Sequence, residues 1–450
     1  MTYQECLDYL AGLGHELLGV EFRLETITSI LASLGDPHLK YPTAIVAGTN
    51  GKGSTSAILA SILSRAGYRT GLYTSPHLIR VNERIAVDGE EISDEDFARG
   101  FREVRQAVER LLAARTLPAR PSFFEFLTAV AFLHFAQARA GFAVLEVGLG
   151  GRLDATNVTE PRVAVITNIE LDHQEILGKT HAAIAREKAG VIKPGRPVVS
   201  GVSHPEAAEV IRQRSKELGA PLIETASLSR ILNLHSRQGR YQFDFALNGD
   251  HFTNLILPFL GRFQVENAVA AVTAALELRQ EGLRIDRAAI FEGLRYASWP
   301  GRLEAVRERP LVLLDGAHNP AGAAEVAAFV REHLSGRVLR LVYASLRDKD
   351  IGEISKILFP LAAEVYLTRL PQARAATPQE ILAAARWQSS RLTIEPDPGQ
   401  ALRRALEASA PDDVVLAAGS LYLVGALKTA LRAADFETFA TPQSRPATRA

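Results

Sequence analysis

"AIVAGTNGKGSTSAILASIL" (residues 44–63) is the stretch on which the fold turns. A β-branched run passes into Gly48, Gly51 and Gly53, set around Lys52, and then into Ser54 and Thr55 at the head of an amphipathic helix. Strand, glycine turn and helix start bring backbone N–H groups and the positive end of a helix dipole to one small volume. Glycine permits close approach because no Cβ stands in the way, and Lys52 adds a charge that reaches terminal phosphates. The stretch reads as a phosphate-binding loop contacted through Gly48, Thr49, Asn50, Gly51, Lys52, Gly53, Ser54 and Thr55. A tight turn with a surface lysine is the plainer alternative. The spacing is not that of G-x-x-x-x-G-K-[ST], because Gly53 separates Lys52 from Ser54 and Gly48 stands three residues before Gly51. Spacing alone leaves a motor, a switch GTPase and a ligase open.

Outward from this loop, strand-like runs alternate with helical patterns, the mark of parallel sheets built from βαβ units. Strands are expected at 43–48, 69–75, 142–148, 162–168 and 197–201, with helices at 54–66, 94–114, 122–139, 181–189 and 205–218. A β-rich excursion follows, in which "NGDH" between "RYQFDFAL" and "FTNLILPF" signals a hairpin, and then a helix at 264–278. "YASWPGRLE" (296–304) stops the helical pattern at Trp299, Pro300 and Gly301. Beyond it the alternation restarts, with strands at 310–315, 338–344, 363–368, 392–395 and 413–418 and helices at 320–334, 350–360, 378–387, 399–409 and 421–433. The expected organisation is a first domain over 1–295, a linker over 296–303, a smaller α/β domain over 304–436 and a disordered tail over 437–450.

Composition narrows the class. At 450 residues the chain exceeds one hydrophobic core. Its 47% hydrophobic and 23% charged residues are those of a globular protein. Lys plus Arg equals Asp plus Glu, 51 against 51, so no long-range attraction to nucleic acid or anionic lipid is encoded and an anion must be held locally. One cysteine, Cys6, excludes an internal disulfide and a thiolate zinc cluster. The N-terminus is acidic, unlike a signal peptide, and "FLTAVAFLHFA" is too short to span a membrane. A cytoplasmic monomer is expected.

Phosphates call for Mg²⁺, which takes hard oxygen ligands, and sites in parallel sheets gather at the carboxyl ends of strands. Ser75 in "YTSPHL", Glu146 in "VLEVGLGG" and His173 in "NIELDHQE" sit at such ends. A turn serine and a structural histidine are their plainer readings; Glu146, a carboxylate inside an apolar strand, points more to function. "GLGGRLDA" does not make a dinucleotide fingerprint, because its third glycine position is Leu153 and no helix starts there.

The ordered set "GTNGKGS", "TSPHL", "FFEF", "LEVGLGGRLDATN", "LDHQEILG", "REKAGVIKPG", "PGRLE", "LLDGAHNP" and "DKD" resembles the folylpolyglutamate synthase and dihydrofolate synthase family of the Mur ligase superfamily. The resemblance runs from about residue 23 to 425. It implies a P-loop-type ATPase domain with a mostly parallel sheet and a small β excursion, followed by a smaller Rossmann-like α/β ligase domain on the glutamate side. It also implies an enzyme that joins L-glutamate to dihydropteroate or to the glutamyl chain of reduced folates through an acyl phosphate, releasing ADP and phosphate. A Mur-type ligase acting on another carboxylate is the alternative.

By the same resemblance, Lys188 is carbamylated and, with Ser75, Glu146 and His173, would hold Mg²⁺, two ions in all, with Mn²⁺ also serviceable. Asn267, Arg302, Asp315 and His318 would contact ATP, held between the domains. Lys52, Lys188, Asp315 and His318 would carry the chemistry. The pterin would lie against Val20, Glu21 and Phe22, against Ser122, Phe123, Phe124 and Glu125, and against Leu153, Asp154 and Ala155. Rings stack on a flat pterin and a carboxylate pairs with its N–H edge; Phe123 and Phe124 serve equally as core residues at a helix start.

Overall fold

The computed structural model describes residues 1–13, 23–386 and 391–432. The expectations for Val20, Glu21 and Phe22 and for the tail fall outside these residues. Strands β1 (Thr43–Ala47), β2 (Thr70–Tyr73), β3 (Ile85–Val87), β4 (Glu90–Glu91), β5 (Phe142–Glu146), β6 (Val163–Ile166), β7 (Val198–Ser200) and β8 (Leu222–Glu224) form one sheet in the order β4-β3-β2-β5-β1-β6-β7-β8. From β2 to β8 every pairing is parallel, and β3 and β4 add an antiparallel edge. All residues of β1 and β5 are buried, as expected of a parallel sheet covered on both faces. Ile45, Ala47, Ala143, Leu145, Ala164 and Ile166 join one continuous core, and their alternate neighbours turn to the other face. β1 leads to β2 on one side and β6 leads to β7 on the other, so the connections part at the carboxyl end of β1, where ligands settle in such sheets.

Three strands follow: β9 (Ser229–Arg237), β10 (Arg240–Leu247) and β11 (Asp250–Leu260). The "NG" signal is realised, since Asn248 (φ 48°) and Gly249 (φ 90°) both take the positive φ of a two-residue hairpin turn. The last sheet is β12 (Glu304–Glu308), β13 (Leu311–Leu314), β14 (Leu339–Tyr343), β15 (Glu364–Leu367), β16 (Leu392–Ile394) and β17 (Val414–Ala418), ordered β12-β13-β17-β14-β15-β16. It is parallel except for β12. Chain contacts divide the protein into two units: Met1–Ser236, Tyr241–Pro258 and Phe263–Trp299 in the first, and Arg237–Arg240, Phe259–Arg262 and Pro300–Ala450 in the second. Among the described residues no helix is long and apolar enough to cross a membrane.

The α/β fold expected from the alternation is present, and most elements fall within a few residues of their expected ends. The loop helix starts earlier, at Lys52, because Gly51 (φ 81°) completes the turn that precedes it. Helices Glu25–Ser33 and Arg287–Arg295 were not expected. The first is rich in β-branched residues, which weaken helix propensity, yet Thr26, Ile27, Ile30 and Leu31 give it a buried face. The second carries Gly293 in its interior, where glycine disfavours helix. The packing explains that glycine: a Cβ there would stand 2.5 Å from Ile62 Cα in the loop helix Lys52–Arg65. Ser61 Oγ also donates to the Gly293 carbonyl at 2.8 Å. Gly293→Ala should therefore lower stability by about 1–3 kcal/mol in urea unfolding, whereas Gly12→Ala, with open space around the added methyl, should not lower it.

Candidate active site

The loop is tied to the end of the neighbouring strand β6. Thr49 N–H donates to the Asn168 carbonyl at 3.0 Å, Asn50 N–H donates to Asn168 Oδ1 at 2.8 Å, and Thr167 Oγ1 donates to the Asn50 carbonyl at 2.6 Å. Two glycines are required by these neighbours. Gly48 (φ 150°) could not carry a Cβ, which would fall 1.8 Å from Thr167 Oγ1, and one on Gly51 would fall 2.1 Å from Asn267 Oδ1. The first helical bond runs from Thr55 N–H to the Gly51 carbonyl at 2.9 Å. The N–H groups of Lys52, Gly53 and Ser54 thus belong to the first turn, whose donors have no carbonyl within the helix. Asn267, on helix Phe263–Gln280, is held by its Nδ2 donating to Gln264 Oε1 at 2.9 Å.

Two lysines meet at this loop. Lys52 Nζ donates to the Thr49 carbonyl at 3.1 Å. Lys188, last residue of helix His181–Lys188, is 4% exposed and donates from Nζ to the Gly48 carbonyl at 2.7 Å. A helix carboxyl end favours a cation, but burial outweighs it. Desolvation first, and then the charge of Lys52, push the Lys188 ammonium down to about 7, against the pull of Asp172 and Asp154. Lys188 is a buried amine rather than a solvated helix lysine.

Glu146 ends β5 in register with Val46, two residues before Gly48, and is 4% exposed. Its Oε2 accepts the Ser75 N–H at 3.1 Å, so Ser75 and Glu146 stand together beside the loop strand. Hydroxyl and carboxylate are the hard oxygen donors that Mg²⁺ prefers, and the pair fits that ion. His173 (φ 50°) caps a four-residue helix, with its N–H donating to Asp172 Oδ1 at 2.9 Å. Among the described residues no three His, Cys, Asp or Glu side chains converge on one point, an arrangement that Mg²⁺, commonly held by one or two carboxylates with water and phosphate, does not need.

The segments matched to the pterin have local structural roles as well. Ser122 and Glu125 form a reciprocal cap: Ser122 N–H and Oγ both donate to Glu125 Oε2 at 2.8 Å, and Glu125 N–H donates to Ser122 Oγ at 3.2 Å. The other oxygen, Glu125 Oε1, is buried with no hydrogen-bond partner, and desolvation raises the carboxyl above its ordinary range. Phe124 packs on Tyr73 and over Gly148, and the Arg84 guanidinium lies 5.2 Å over the Phe123 ring. Asp154 caps the short helix Ala155–Val158. Its Oδ2 accepts Leu149 N–H at 3.0 Å and its Oδ1 accepts Thr156 N–H at 3.0 Å and Thr156 Oγ1 at 2.5 Å, so its carboxylate shapes the 148–156 turn between Leu153 and Ala155. Burial raises its pKa as well.

In the second unit, Asp315 follows β13 and is 3% exposed. Oδ2 accepts Leu303 N–H and Oδ1 accepts Ala317 N–H, both at 2.7 Å. The first bond holds Leu303 in a positive-φ conformation (43°) that a leucine adopts only under constraint. Arg302, the residue before it, lies over Gly316, where a Cβ would be 2.3 Å from Nη1. His318 Nδ1 is 2.9 Å from the Gly316 carbonyl, which can only accept, so that nitrogen carries the proton. Arg302, Asp315 and His318 are thus gathered around one turn. Sequence reasoning missed Thr167, Asn168 and Gln264. The available signal was position: the first two follow the strand beside β1, and Gln264 stands three residues before Asn267 on the same helix face.

A family model for the Mur ligase middle domain matches residues 106–275, and one for the Mur ligase glutamate ligase domain matches 301–421. With the loop and the two α/β sheets, these define a Mur ligase, a class of ATP-dependent ligase. Relatives narrow it. The dihydrofolate synthase/folylpolyglutamate synthase of Bacillus subtilis is 36% identical over 433 residues, 96% of this chain and 99% of that one. Folylpolyglutamate synthase of Lacticaseibacillus casei is 34% identical over 438 residues, again 96% and 99%. Among solved structures, E. coli FolC in complex with DHPP and ADP superposes with a TM-score of 0.85 at 32% identity, covering 96% of this chain and 98% of that one. The protein belongs to the dihydrofolate synthase/folylpolyglutamate synthase family.

Lys188 gives the site a pH signature. Unfolded, a lysine keeps its proton to about 10.5; folded, Lys188 releases it near 7. Between those values the unfolded chain binds more protons, so stability rises with pH, by up to about 1.4 kcal/mol per pH unit. Below pH 7 both states are protonated and the cost of burial is constant. In urea unfolding in carbon dioxide-free buffer, wild type should gain stability relative to Lys188→Met between pH 7 and 10; a difference independent of pH would contradict the burial of this amine.

Proposed function

We propose that the protein joins L-glutamate to the carboxylate of dihydropteroate, of a reduced folate, or of both, using ATP. The observation that carries this reading is the phosphate loop with a buried amine and a carboxylate at its base, in a chain whose full-length relatives bear these activities. The E. coli FolC structure holds DHPP and ADP, which agrees with the substrate class.

The first-turn N–H groups and Lys52 hold the triphosphate and take up the charge of a loose phosphoryl-transfer transition state. A carboxylate oxygen of the pterin substrate attacks the γ-phosphorus, the bond to ADP breaks, and an acyl phosphate forms. The glutamate amine then attacks the acyl carbon, phosphate leaves, and the amine proton is lost to solvent. Asn267, Arg302, Asp315 and His318 are proposed ATP contacts, with Asp315 acting mainly by fixing the backbone that presents Arg302. Phe123, Phe124 and Glu125, with the turn 153–155, are the proposed pterin surface; the unpartnered Glu125 Oε1 suits a ring N–H. Ser75, Glu146, His173 and a carbamate on Lys188 are the proposed holders of Mg²⁺, two ions in number, which when bound would offset phosphate charge. A buried amine near neutrality supports the carbamate, because its lone pair can add to carbon dioxide with loss of a proton. We further propose a cytoplasmic monomer.

Phosphate release should require ATP, glutamate and dihydropteroate or a reduced folate together, with a product heavier by one glutamyl residue. Release with UDP-muramoyl substrates instead, or ATP hydrolysis without an amide product, would overturn the assignment. Lys52→Ala should lower kcat/KM at least about 100-fold, the scale of losing one preorganised charge contact. Equilibration with ¹³C-bicarbonate should give a protein carbamate resonance that Lys188→Met lacks; a resonance that persists in the variant removes Lys188 from that role.

A further inference from the structure

The loop has a neighbour that neither the sequence pattern nor the proposed ATP contacts include. Trp299, the last residue of the first unit, lies against Gly53, the second residue of the loop helix. A Cβ built on Gly53 would stand 2.4 Å from Trp299 Cζ2, 2.7 Å from Cε2 and 2.8 Å from Nε1. The edge of the indole that carries Nε1, Cε2 and Cζ2 therefore rests on Gly53, in the first turn of the loop helix. Trp299 is only partly buried, and among the described residues nothing accepts a hydrogen bond from its indole N–H. Gly53 itself has an ordinary φ, so its lack of a side chain serves this approach rather than backbone conformation.

We infer that Trp299 is a nucleotide-binding residue: its Nε1–H donates to an oxygen of the bound nucleotide's phosphate chain, and its ring walls that side of the loop. The inference rests on the reading of residues 48–55 as the ATP loop. Indole is donor-only, so it suits an anionic acceptor and adds no repulsion. A contact present before and during phosphoryl transfer contributes to binding and not to the chemical step, so its loss belongs in KM.

The chain has two tryptophans, Trp299 and Trp387, so a Trp387→Phe protein reports on Trp299 alone. Its emission should change saturably with Mg·ADP, in step with ADP retention in equilibrium dialysis. In the full chain with Trp387 intact, Trp299→Phe, which keeps a ring but lacks the N–H, should raise the KM for ATP about tenfold with kcat within twofold, the scale of a lost charge-assisted hydrogen bond. An unchanged KM for ATP in Trp299→Phe, or unaltered Trp299 emission while dialysis shows ADP bound, overturns the inference and leaves the ligase assignment standing. Failure of the wild-type chain to retain ADP overturns both.

Discussion

A single hydrogen bond, from Lys188 Nζ to the carbonyl of Gly48, joins the two features on which the site depends. It fixes the point where β1 ends and the loop begins, and it gives a buried amine its acceptor. Neither side is readily dispensable. Without the carbonyl, the amine would be buried and unsatisfied, which costs more than an ordinary hydrogen bond is worth. Without the amine, the loop would keep its ties to Thr167, Asn168 and Asn267 but lose its anchor from helix His181–Lys188. The repulsion between Lys52 and Lys188 is tolerated because Asp172 and Asp154 lie near enough to oppose it.

Much of this was legible from residues 44–63. A buried strand, a glycine turn and a helix start are local patterns, and the alternation around them gave the sheets. What the glycines accommodate was not legible, because it depends on residues more than a hundred positions away. The spacing suggested room for phosphate, whereas Gly48 and Gly51 also make room for Thr167 and Asn267. The same two positions therefore answer to neighbours far along the chain as well as to the local turn. The antiparallel edges β3, β4 and β12 escaped because they are short: Ile85–Val87 is too brief to show a period, and Glu90–Glu91 and Glu304–Glu308 are broken up by charge.

The candidate substrate residues teach a different lesson. "SFFE" and "GGRLDATN" matched a family pattern, and each also encodes a local device, a helix cap in one and an aspartate-held turn in the other. A motif can have a local geometric role whatever its neighbours contact. Asp154 illustrates this, since its oxygens are engaged by Leu149 and Thr156 and hold the turn that carries Leu153 and Ala155. Asp315 likewise fixes the backbone at Leu303, next to Arg302.

The burial of β1 and β5 on both faces carries a consequence for the energetics of nucleotide capture. Amides in such strands exchange their hydrogens only when the whole unit opens. A loop rooted in them is therefore already ordered before the ligand arrives. The entropy of arranging its donors was spent during folding, and little of the interaction energy is diverted to organising the receptor.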